Sequence, residues 1–136
     1  MTPEGLRAVA AMRPALEDPD FRAGGWGGGG TDAAGVMTMH YAALDAEAEA
    51  VLAQIRPHLE PFDWMAWVDD GPGRRLYENP DALDNASADD LGRLLFALVR
   101  GDRFTEGLLL GAFQDGLMLR IARRAEALFH ADAPPA

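Results

Sequence analysis

At 136 residues, 49% of them hydrophobic, the chain has the length for one domain around one core, and the absence of cysteine excludes disulfides, thiolate metal sites and cysteine nucleophiles. The formal charge is −10 and all twelve basic residues are arginine, which removes Schiff-base and phosphate-loop lysines and makes direct binding to nucleic acid unfavourable. The N-terminus carries no signal-like pattern and the longest apolar stretch, Leu94 to Val99, is far too short to cross a bilayer, so the expectation is a cytoplasmic protein that makes no use of a membrane.

Thr2 and Pro3 read as a cap and a first-turn proline, and Leu6, Val9, Ala10 and Leu16 form a narrow apolar stripe on a helix expected to kink or restart at Pro14 and to end by Pro19. Gly24-Gly25-Trp26-Gly27-Gly28-Gly29-Gly30-Thr31 follows. So many glycines lose too much backbone entropy on ordering to hold regular structure, so this stretch is expected to be a mobile loop, with Trp26 as its anchor. It lacks the lysine of a phosphate-binding loop. Val36 to Tyr41 is too short to classify, and an extended segment and a helical lead-in both stay open. Leu44, Ala48, Val51, Leu52, Ile55 and Leu59 mark an amphipathic helix with acidic residues in its first turns, limited by Pro57.

Pro61-Phe62-Asp63-Trp64-Met65-Ala66-Trp67-Val68 places three aromatics in six positions, with Asp63 set to cap a short helix. Two readings of Trp64 and Trp67 stand side by side: rings filling a core at a helix corner, or an exposed recognition patch. Asp69-Asp70-Gly71-Pro72-Gly73 reads as a turn, without the spaced oxygen ligands of a calcium loop. From Arg74 to Ala86 the chain is polar and proline-interrupted, anchored by Leu76 and Tyr77.

Ser87 then opens the strongest helix, in the manner of a capping box with Asp90. Leu91, Leu94, Leu95, Leu98 and Val99 fall at i, i+3, i+4, i+7 and i+8, one apolar face that must be covered. Gly101 ends the helix, Asp102 or Thr105 caps the next, and Leu108, Leu109, Leu110 and Phe113 follow. Gly107 and Gly111 stand four residues apart, a pairing that a close neighbouring backbone would explain. Gly116 stops that helix, and Leu117, Met118, Ile121, Ala125, Leu128 and Phe129 pattern the last one, with Arg120, Arg123 and Arg124 beside its face. The expected fold is therefore all-α: a single domain over residues 1–131, with about five or six helices around a helical hairpin, a glycine-rich loop after the first helix, and a frayed tail over 132–136.

Few residues carry chemistry. Ser87, the single serine, lies where a helix cap is wanted. His40, His58 and His130 are far apart in sequence and none has a ligand at i+4, so neither metal nor cofactor is implied. His40 beside Tyr41 is the best acid–base pair. The corner of the hairpin alternates charge through Arg100, Asp102, Arg103 and Glu106. The expectation favours an ion-pair lattice that locks the corner, and the same residues are the candidate site for an anionic ligand.

Two stretches, Phe62-Asp63-Trp64-Met65-Ala66-Trp67 and Leu98 to Gly107 with its Arg100-Gly101-Asp102-Arg103-Phe104-Thr105-Glu106-Gly107 core, followed by Gly116 and an apolar helix, resemble a small bacterial family known only as a domain of unknown function. The likeness covers most of the chain, from the first helix through Phe129. It implies a mostly helical single domain and no activity. Three readings of function stay open: a non-enzymatic regulatory module that binds another protein, with a homodimer as one arrangement; a small enzyme or ligand sensor with a pocket between the glycine loop, His40, Tyr41 and the arginine corner; and an acidic mimic of nucleic acid that fills a basic groove.

Overall fold

The computed structural model describes residues 1–131, and the expected fraying of 132–136 lies outside the described residues. Helix α1 (Pro3–Ala10) starts as the sequence dictates, with the Gly5 N–H donating to Thr2 Oγ1 at 3.1 Å. At Pro14 the second of the two expected outcomes holds, and the chain restarts as α2 (Arg13–Glu17). After the arm described below come α3 (Ala46–Ile55), α4 (Trp64–Asp69) and α5 (Gly73–Glu78), then α6 (Ala88–Gly101), α7 (Leu108–Gln114) and α8 (Leu117–Ala131). Short 3₁₀ turns cover Arg56–His58 and Pro80–Asn85.

The apolar face read from periodicity is the core. Leu91, Leu94, Leu95 and Leu98 of α6 are essentially inaccessible, and Val99 is half-buried at the margin. Each buried leucine contributes on the order of 2 kcal/mol relative to exposure. Opposite them, Met118, Ile121, Ala122 and Ala125 of α8 are fully buried. Helix α8 packs on α1, α2, α6 and α7, so the last helix closes the core on the first. The Ser87–Asp90 capping box forms reciprocally, with both bonds at 3.1 Å.

Arginines on α8 fasten its neighbours. Arg123 donates to Glu17 Oε1 at 3.1 Å, Arg13 donates to the same oxygen at 2.7 Å, and Arg13 also reaches Glu126 at 3.0 Å, which ties α2 to α8. Arg120 pairs with Asp81 at 3.0 Å, and Arg124 Nε donates to the Ala86 carbonyl at 2.9 Å.

Three expectations need correction. The fold is mostly helical rather than all-α: Gly24–Gly27 forms a strand, β1, paired antiparallel with β2 (Tyr41–Leu44). Glycine at 24 permits the pairing, because its φ is +140° and a Cβ there would lie 2.0 Å from the Ala43 carbonyl oxygen of the opposite strand. Eight helices are found among the described residues, against five or six expected. The excess comes from the restart at Pro14 and from α5, which the Gly71-Pro72-Gly73 turn conceals in the sequence. The region 24–30 is also not a plain loop: its first half is this strand, and the Gly29 N–H donates to the Thr38 carbonyl at 2.8 Å just beyond it.

Candidate functional site

Residues 24–44 form an arm. Beyond the two strands, Thr31 bridges to Met37, and Asp32 shapes the tip by accepting from the Ala34 and Val36 N–H groups, both at 2.9 Å. The Asp45 N–H donates to the Ala23 carbonyl at 2.8 Å, which fixes the alternation of the ladder. Ala42, opposite Trp26, therefore turns its N–H away from β1. That N–H donates to Glu106 Oε1 at 3.0 Å, so the corner carboxylate satisfies an outward group on the edge of the sheet.

Trp26 makes the second attachment. Its indole stacks on the His40 ring, with centroids 4.6 Å apart and planes at 21°. The other neighbour is Gly107, where a Cβ would come within 2.3 Å of the indole. Gly107 holds φ +85° directly before α7, so glycine is required there both by the backbone and by the ring that lies over it. The glycine pair at 107 and 111 thus admits a tryptophan side chain at 107, not a neighbouring backbone, and at 111 a Cβ would meet only Asp115 Oδ2, at 3.8 Å.

The corner residues are brought together differently from the expected lattice. The N-cap position of α7 is Gly107, not Asp102 or Thr105 as expected, but Asp102 Oδ1 reaches across from the end of α6 and accepts the first-turn Leu109 N–H at 3.0 Å, giving that amide the partner a cap would supply. Glu106 is spent on the arm. Arg100 and Arg103 are exposed, and among the described residues neither reaches a carboxylate within ion-pair distance. The lattice does not form because both carboxylates answer backbone N–H groups that have no other partner, whereas solvent satisfies exposed guanidinium groups. His40 and Tyr41 do come to this region, one on Trp26 and the other with its ring over Gly27. The space between His40 and Gly107, where a ligand pocket was expected, is filled by the Trp26 ring.

Of the two tryptophans in the aromatic cluster, Trp67 belongs to the core at 8% exposure, packed edge-on against Phe62 with centroids 5.7 Å apart. It is not part of a recognition patch. Trp64 is half-buried, lies against Gly101 and stands 6.0 Å from the ring of Phe104. The segments Phe62–Trp67 and Leu98–Gly107, far apart in sequence, thus meet at the end of α6. Val36, Met37, Met39, Met65 and Phe104 were not singled out from the sequence, and all are exposed here. For Val36, Met37 and Met39 the only signal was a run too short to classify, while Met65 and Phe104 lay inside the two motifs without being marked as exposed. The histidines stay apart, and no group of three or more potential metal ligands forms among the described residues.

Fold and surface together define a mostly helical domain with a short two-stranded arm fastened to a helix corner. The chain belongs to a family of unknown function (DUF6508), whose family model matches residues 1–131. No curated protein and no solved structure matches it. Family membership brings no activity with it, as the resemblance in the motifs implied.

Proposed function

We propose that this domain is a non-enzymatic protein-interaction module working in the cytoplasm, and that its recognition face is the arm together with the corner. One observation carries the reading. The exposed large apolar residues are Trp26, Val36, Met37, Met39 and Tyr41 on the arm and Met65 and Phe104 on the corner, with Met37 and Met39 at 80% and 86% exposure. Elsewhere on the described surface, large apolar side chains are covered or half-covered. Exposed apolar groups concentrated on the arm and on the corner to which it is fastened mark a surface that another molecule covers, and methionine suits a surface that must adapt its shape.

The enzyme or anionic-ligand reading finds less support. Asp102 and Glu106 are committed to backbone amides, and Trp26 fills the gap beside His40. The test is affinity capture from the native cell with wild-type protein and with Met37→Ser/Met39→Ser. A partner retained by the wild type and lost from a variant of unchanged melting temperature is the expected result. Equal retention by both proteins would sink the reading, and so would the absence of any saturable partner.

A further inference from the structure

We infer that the partner of this face presents an acidic segment of a protein, its carboxylates interleaved with apolar side chains, seated along α6 and the corner. The inference rests on the interaction-module reading and adds the partner's chemistry. Arg93 and Arg100 stand exposed on α6 with the half-buried Phe96 between them, at i, i+3 and i+7, and the exposed Arg103 and Phe104 continue the line through the turn that follows. Among the described residues none of the three arginines has an ion-pair partner.

The contrast with the rest of the chain gives this weight. Arg13, Arg74, Arg120 and Arg123 each hold a carboxylate, at 2.7, 3.0, 3.0 and 3.1 Å. Arg7 lies 5.4 Å over the Phe129 ring, and Arg124 bonds a carbonyl. Arg22, Arg56 and Arg75 also lack an ion pair but stand singly on separate segments. In a chain of net charge −10, with 22 carboxylate residues to draw on, three guanidinium groups in one line lack an ion pair, while the neighbouring carboxylates Asp89, Asp102 and Glu106 are held by the N-terminus and by backbone amides. Aromatic rings run with the line: Phe96 lies 5.5 Å from Phe62, and Phe104 lies 6.0 Å from Trp64.

Guanidinium forks beside half-buried and exposed rings are the composition of interface hot spots, and a fork pairs two-pronged with a carboxylate. A short segment with a few carboxylates between apolar residues satisfies the three arginines and the apolar corner at once. A long, uniformly charged polyanion would run on into the acidic remainder of the surface.

The test uses a fluorescently labelled synthetic peptide of alternating Glu with Leu and Phe, its Gln-for-Glu counterpart, and oligothymidylate, each titrated into the full chain and followed by anisotropy. The expected result is binding of the Glu peptide that weakens steeply with added salt, at least about tenfold loss with the Gln peptide or with Arg100→Glu/Arg103→Glu, and retention by Arg100→Lys/Arg103→Lys. All these positions are exposed, so melting temperatures should match the wild type. Equal affinity for Glu and Gln peptides, indifference to charge reversal, no binding of either peptide, or tighter binding of oligothymidylate would each overturn the inference. If the charge-reversed protein still captures the cellular partner that Met37→Ser/Met39→Ser loses, the acidic segment is wrong and the interaction module stands. If neither pair of substitutions changes what is captured, both fail.

Discussion

Gly107 and Gly111 stand four positions apart and tolerate change in opposite ways. At Gly107 the left-handed backbone and the overlying Trp26 ring both exclude a side chain, so Gly107→Ala is expected to cost about 2 kcal/mol and to alter Trp26 fluorescence as the arm shifts. Gly111 lies inside α7 with open space around its would-be Cβ, so Gly111→Ala should stabilise by up to about 1 kcal/mol through helix propensity alone. Denaturant midpoints for the two variants check both signs in one experiment. The same measurement separates the corner residues. Asp102→Ala removes the partner of the Leu109 N–H and should cost roughly 1 kcal/mol. Arg103→Gln removes an exposed cation without a partner and should stay within about 0.5 kcal/mol of wild type. A loss for Arg103→Gln equal to that for Asp102→Ala would restore the ion-pair lattice.

Among the elements, α6 and the arm lie at opposite ends of stability. Leu95 is 1% exposed on the face α6 turns to the core, and Leu95→Ala is expected to cost roughly 3 kcal/mol. The arm is held by a two-stranded ladder, one ring and one carboxylate, so it should open without global unfolding. Hydrogen exchange at the Ala42 amide should speed up in Glu106→Ala while α6 amides stay protected. Exchange at Ala42 as slow as in wild type would mean that Glu106 does not hold the arm. The difference between these elements is also the reason one was legible in the sequence and the other was not. Leucines at helical spacing in α6, and Leu117 to Phe129 in α8, encode their burial locally. Strand β1 is made of Gly24, Gly25, Trp26 and Gly27, and it exists only through residues 41–44, so no window of local sequence contains its cause. Helix α5 was hidden likewise, because Pro72 between two glycines reads as a turn while the burial of Leu76 is set by α4 and α6. At the corner the alternating charges were visible, but their partners were backbone amides of Ala42 and Leu109, which a charge pattern cannot display.

For the whole molecule, acid acts through two opposed terms. With a net charge of −10 at neutral pH, protonation of surface carboxylates relieves repulsion as the pH approaches the sequence isoelectric point of about 4.5. Against this stands Glu17, whose carboxyl is held below its ordinary value of 4.5 first by the hydrogen bond from Arg13 and then by that from Arg123. A carboxylate whose folded pKa is depressed contributes stability that is fully present above the unfolded value and is lost as pH falls through the folded one. The contribution is small, because the network is exposed and screened by salt, but it joins α2 to α8 and so bears on closure of the first helices over the last. The difference in melting temperature between wild type and Glu17→Gln isolates it, since both proteins share the other carboxylates. That difference should be largest near neutral pH and low salt, and shrink towards zero as the pH falls from the ordinary carboxyl value through the lower folded one. A difference that persists unchanged as acid protonates the carboxylates would show that Glu17 is not held by the two arginines in solution, and that α2 stays on α8 through Leu16 and its apolar neighbours alone.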